Sequence, residues 1–167
     1  MKSVLRRILV PLVAVAVGLL PGVVVIEQAS ALTKLTQAQA ASIFRAAGIT
    51  WSSSGGCTDR YNSTCTSFEQ INDSTVYGVR TLKTASGCAI NITGGTETGH
   101  ASGTYSHWNG YKVDISKYTC VGNYIHNTFT RIADRADGYP QWKSGAGNIY
   151  ADEGSHWDIT YYNCGGC

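Results

Sequence analysis

Six cysteines behind an apolar leader constrain this chain more than any other feature. Lys2, Arg6 and Arg7 form a basic start, Ile8 to Val25 is an almost unbroken apolar run, and Ala29-Ser30-Ala31 supplies small residues of the A-x-A type. Together they read as an export signal over residues 1–31, cleaved after Ala31, with the mature chain at 32–167. An uncleaved anchor is the rival, since the run is close to the length that spans a bilayer. Exported chains meet an oxidising compartment, so an even cysteine count reads first as disulfides. The expected pairs are Cys57–Cys65 across a turn-rich loop, Cys88–Cys120 between two core elements, and Cys164–Cys167 at the tail. A thiolate metal site is disfavoured, because only the last pair has C-x-x-C spacing.

Removing the leader changes the charge balance. The chain has 13 Lys+Arg and 11 Asp+Glu; the leader holds three of the first and one of the second, leaving ten of each. A neutral mature domain has no electrostatic argument for nucleic acid. Its length suits one ordinary domain, stapled by disulfides.

The pattern along the chain reads as helices first, then strands with one helix between. Thr36-Gln37-Ala38-Gln39 is a capping box, followed by an apolar stripe at Ala40, Ile43, Phe44 and Ala47 and a stop at Gly48. Residues 51–66 read as loop and Ser67 to Ile71 as a short helical turn. Asp73 or Ser74 can cap a helix striped by Val76, Val79 and Leu82, ending at Ser86-Gly87. Cys88 to Thr93 and Tyr111 to Ile115 alternate as strands, separated by a polar loop over 96–106. Val121 to Arg135 reads as helix, 136–147 as turns, and Asn148–Ala151 and Trp157–Tyr161 as two strands around a tight loop. The expected fold class is α+β, with a small antiparallel sheet flanked by helices.

Four residues could carry chemistry. Asp114 shares a strand face with Lys112 and Ser116, and Gly110 allows a turn that folds His107 back over that face. Glu153 and His156 sit three apart in the loop entering the last strand. Two imidazoles and one carboxylate suit zinc, and three protein ligands leave a fourth position for water. A carboxylate beside such water can move its proton. Singly, each pair is ordinary surface or structural furniture. His100 reads equally as a cleft or loop residue, His126 as a partly exposed helix residue, and Asp158 as either an orienting acceptor for a ligand imidazole or a rim residue.

Order and context bring in a family. Thr93-Gly94-Gly95, then Ser106-His107-Trp108-Asn109-Gly110-Tyr111-Lys112-Val113-Asp114-Ile115, and finally Glu153-Gly154-Ser155-His156-Trp157 resemble the D-alanyl-D-alanine metallopeptidases. That family of zinc carboxypeptidases and endopeptidases shares its fold with hedgehog-type domains, and the resemblance covers most of residues 70–163. It implies a hedgehog-like sheet carrying Zn2+ on His107, Asp114 and His156, with Glu153 as catalytic acid/base. Beside these, Ser106, His100 and Trp157 are the candidate substrate-contacting residues. The chain departs from the family at Tyr105, where serine is usual although Ser106 is adjacent, and at Lys112, where alanine is usual. Its strand-end turn, Gly94-Gly95-Thr96-Glu97, also lacks an arginine that the family often uses for a carboxylate or oxyanion, and Arg80 and Arg131 fall on expected helices. The expectation shifts accordingly from carboxypeptidase towards endopeptidase. The implied protein is a secreted or wall-associated bacterial zinc peptidase, acting as a monomer on peptidoglycan stem or cross-bridge peptides, without stable membrane association after cleavage. Its rivals are a zinc- or wall-binding domain without turnover, and a structural secreted protein with incidental histidines.

Overall fold

The computed structural model describes residues 32–162; the expected leader and the Cys164–Cys167 pairing lie outside them. Helix α1 (Gln37–Ala46) starts as its sequence dictates. The Thr36 side chain accepts from the Gln39 amide at 3.3 Å, and the Gln39 side chain accepts from the Thr36 amide at 2.9 Å. Two of the free amides at the helix start are thereby satisfied. Helix α2 (Asp73–Ser86) buries Val76, Val79 and Leu82 and ends at Gly87. Its cap position is Asn72, and Asp73, already in the first turn, accepts from the Ser74 amide at 2.7 Å. Helix α3 (Thr119–Thr128) buries Val121 and Ile125.

Among the described residues nine strands join these helices. They are β1 (Lys34–Leu35), β2 (Thr50–Trp51), β3 (Ile71–Asn72), β4 (Asn91–Gly94), β5 (Lys112–Ser116), β6 (Thr130–Ile132), β7 (Gln141–Lys143), β8 (Ile149–Asp152) and β9 (His156–Thr160). β1 and β3 form a small antiparallel pair. The other seven form a mixed sheet in the order β2-β4-β5-β9-β8-β7-β6, parallel only between β2 and β4. The domain is therefore mixed α and β, with a larger sheet than the four strands read from the sequence.

Three sequence expectations are corrected. Ser67 to Ile71 is not helical: it is an irregular turn running into β3, with Gln70 at φ 64°. The strand expected from Cys88 begins only at Asn91. The helix expected to reach Arg135 stops at Thr128, and Phe129 turns to ψ 155°. Val121, Ile125, Phe129 and Ile132 keep helical spacing. But Thr128, Thr130 and Ile132 are β-branched, and the chain gains a ladder by pairing β6 with β7 inside the stretch expected to be turns.

The core gathers Phe44, Phe68, Ile92, Ile115, Trp157, Ile159 and Tyr161, all fully buried. Each large side chain removed from water contributes roughly 1.5–3 kcal/mol. Strand alternation decides what remains for the other face of β5 and β9. Val113, Ile115, Trp157 and Ile159 join the core, so Asp114, His156 and Asp158 point the opposite way. Two disulfides brace this frame as expected: Cys57–Cys65 within the loop after β2, and Cys88–Cys120 from the approach to β4 into the first turn of α3. They fit an oxidising compartment. No helix among the described residues is long and apolar enough to cross a membrane.

Candidate metal centre

The polar face of β5 and β9 floors a cleft of about 470 Å³. In the register of these strands Asp114 lies opposite Asp158, and Ser116 opposite His156. On the other side of β5, Gly94 pairs with Asp114. A Cβ at Gly94 would stand 2.4 Å from Asp114 Oδ2, so the carboxylate lies across the space that a side chain there would fill.

His107 reaches this spot by the turn expected of Gly110. Gly110 has φ 77°, and its amide donates to the His107 carbonyl at 2.8 Å. Its own carbonyl accepts from the Thr75 hydroxyl at 2.7 Å and the Asn72 amide at 3.1 Å, which pins the turn to the start of α2. His107 is 4% exposed, and its Nδ1 lies 2.7 Å from the Gly95 carbonyl. A carbonyl can only accept, so Nδ1 carries the proton and Nε2 presents a lone pair in the neutral ring. That is how a metal-binding imidazole is oriented.

Nε2 of His107 faces Asp114 Oδ1 at 3.4 Å, and His156 Nε2 faces the same oxygen at 3.7 Å. His100 Nδ1 stands 3.8 Å from Asp114 Oδ2. Asp114 is 8% exposed, and its Oδ1 is buried without a hydrogen-bond partner. A buried carboxylate oxygen faced only by imidazole nitrogens is costly unless a positive charge, a protonated imidazole or a bound cation, sits beside it. The distances are informative: two atoms bound to one tetrahedral zinc at ordinary bond lengths lie about 3.3 Å apart. The site therefore fits a cation. The ligand atoms of His100, His107 and Asp114 lie within 4.8 Å of one another, and this group could hold a metal ion.

The charges around the site are coupled. Burial alone would raise the Asp114 carboxyl, but the facing His107, then His156 and His100, hold it below its ordinary value. Burial alone would lower His107, yet Asp114 and, more weakly, Asp158 hold its imidazole above its ordinary value. Each partner favours the charged form of the other.

Glu153, in the β8–β9 turn, places Oε2 3.1 Å from His156 Nε2. Its Oε1 pairs with Arg135. Arg135 also reaches Asp158 at 2.9 Å, and Lys112 meets the same carboxylate at 2.6 Å. Asp158 thus serves two cations of the cleft wall, Lys112 and Arg135, and acts on His107 only through its charge. Arg135, at the end of the helix expected from the sequence, is not helical, because α3 stops at Thr128. It lies in the β6–β7 loop and brings a guanidinium to the cleft from outside the strand-end turn. Arg80 stacks on Tyr77, and Arg131 lies on β6 beside Asp134 and over Trp142.

The other expected site residues divide. His100 lines the cleft, with its ring stacked on His107 at 3.8 Å between centroids. Ser106 is 4% exposed, accepts from the Asn109 amide, and lines a smaller neighbouring groove together with His100 and Trp108. Trp157, expected to touch substrate, is fully buried against Trp142 and His126. The reason is strand alternation, which sends it to the face opposite His156.

The sequence held one further signal. Glu-x-x-His occurs twice, as Glu97…His100 and Glu153…His156, and in both the carboxylate lies 3.1 Å from the imidazole. Comparison of the chain with protein-family models, with curated proteins and with solved structures finds no match.

Proposed function

We propose that this chain is a secreted zinc hydrolase of peptide bonds, of the D-alanyl-D-alanine metallopeptidase type with its hedgehog-like fold, acting on peptidoglycan stem or cross-bridge peptides. The observation that carries the reading is the buried, unpartnered Oδ1 of Asp114, faced by His107 and His156 at 3.4 and 3.7 Å. His107, Asp114 and His156 would hold the ion. When bound, zinc supplies Lewis acidity and makes water a nucleophile near neutral pH. Gly95 keeps the His107 tautomer that can ligate. Glu153 Oε2, beside His156, is placed to take a proton from water and return it to the leaving amine. Arg135 and Lys112 line the same cleft, each already held by carboxylates of its wall, and are its two cationic donors within reach of a peptide carbonyl.

A domain that binds zinc or cell wall without turnover is the second reading. The Arg135–Glu153 ion pair favours it, because a carboxylate oxygen held by a guanidinium is not free to turn to a water. The deciding experiment uses the chain from residue 32, purified under oxidising conditions with zinc. Peptidoglycan is digested and the fragments are weighed by mass spectrometry. New peptide termini in wild type, lost in Glu153→Ala with zinc retained, are expected. Intact peptidoglycan with zinc-loaded wild type refutes the peptidase reading.

A further inference from the structure

We infer that His100 is an additional protein ligand of the cation bound at Asp114, a role that the three-ligand pattern does not include. The inference rests on the metal reading above and extends it. His100 Nδ1 faces Asp114 Oδ2 at 3.8 Å, too long for a hydrogen bond and close to the separation of two atoms on one ion. Its other nitrogen, Nε2, lies 3.1 Å from Glu97 Oε1. A carboxylate accepts, so Nε2 carries the proton and the bare Nδ1 is turned towards Asp114.

The arm that does this is built into the core. Glu97 is 2% exposed, and its carboxylate also accepts from the Ser67 amide at 2.7 Å and the Gly95 amide at 3.0 Å. The Thr96 amide donates to the Ser67 carbonyl at 2.7 Å, and the Thr98 amide to the Arg60 carbonyl at 2.8 Å, so the loop bearing both residues is tied down on either side of Glu97. Burying a carboxylate is expensive, and here three donors converge on it in order to fix one imidazole. His156 differs: the nitrogen that faces Asp114, Nε2, also lies 3.1 Å from Glu153 Oε2, so its carboxylate neighbour must turn to the water for His156 to ligate. Among the described residues, the His/Cys/Asp/Glu group whose ligand atoms are mutually close is His100, His107 and Asp114.

The test is titration of cobalt(II) into metal-free protein, followed by its visible ligand-field band. His100→Phe keeps a ring to stack on His107 but offers no nitrogen. It should weaken cobalt binding by about a hundredfold and change the band, as a ligand is lost. Glu97→Gln should weaken binding by about ten- to a hundredfold, the usual effect of removing an orienting partner. Wild-type affinity and spectrum in His100→Phe, with binding lost in His107→Ala, would overturn this inference and leave the metal reading standing. No cobalt bound by wild type would overturn both.

Discussion

Replacing Gly94 with alanine should empty the metal centre without unfolding the domain. Gly94 pairs with Asp114 across β4 and β5, and its φ is outside the left-handed region, so alanine brings no backbone strain. The added Cβ would lie 2.4 Å from Asp114 Oδ2, 3.1 Å from Cγ and 3.2 Å from Cβ. Ordinary contact begins near 3.4 Å, so the carboxylate must retreat by about 1 Å. Metal–ligand distances tolerate only about 0.2 Å. A retreat of this size removes Asp114 from the ion, and zinc affinity should fall by about a hundredfold or more. Overpacking should cost about 1–3 kcal/mol of stability, a few degrees in Tm. The assay is a zinc competition titration against a chromophoric chelator, with thermal unfolding measured in chelator alone. A folded Gly94→Ala protein that binds zinc within about twofold of wild type would refute the placement of Asp114 at the centre.

The disulfides should differ in what they contribute. Cys88–Cys120 closes a separation of 32 residues and Cys57–Cys65 one of 8. On the chain-entropy account their removal costs about 4 and about 2.5 kcal/mol respectively. Urea unfolding of the two double-serine variants checks the order, and a larger loss from the short loop would contradict it. Acid should act through Glu97. Burial alone would raise its carboxyl, but bonds from His100, Ser67 and Gly95 hold it below its ordinary value of 4.5. The unfolded chain therefore binds this proton first as pH falls, and stability rises with pH in that window. The advantage of wild type over Glu97→Gln, in metal-free protein, should be full above about pH 5 and shrink as pH drops through the folded value. Denaturant midpoints from pH 3 to 7 measure it, and a pH-independent difference would count against the bonded carboxylate.

Local signals in the sequence were read well where one interaction dominates. The capping box at Thr36 works as written, and the stripe of Val76, Val79 and Leu82 is buried by α2. Asp114 falls on a polar position of a strand whose alternation is visible, and His156, expected in the loop before the last strand, opens β9 on the same face as Asp158. Where two patterns coincide, the reading failed. Val121, Ile125, Phe129 and Ile132 satisfy a helix, yet the last of these belongs to β6, because pairing with β7 is a long-range gain that periodicity does not record. Trp157 illustrates the same limit from the other side: its strand was legible, but which face met the core was decided by packing. His100 was equivocal because its partner Glu97 is recognisable as a buried carboxylate only once Ser67 and Gly95 are brought to it by the fold. Arg135 carried no local signal, since its place in the cleft depends on a loop between two strands that the sequence did not announce.

The central claim is that Asp114 and its surrounding imidazoles bind one cation. Equilibrium dialysis of purified protein against zinc, with the bound metal measured by mass spectrometry, tests it most directly. Asp114→Asn is the informative partner, since it keeps the shape of the side chain and removes the charge that His107 and His156 face. One zinc per chain in wild type, and loss of that zinc in Asp114→Asn, is the predicted result. A wild-type protein without zinc, or an Asp114→Asn protein that retains it, would contradict the account.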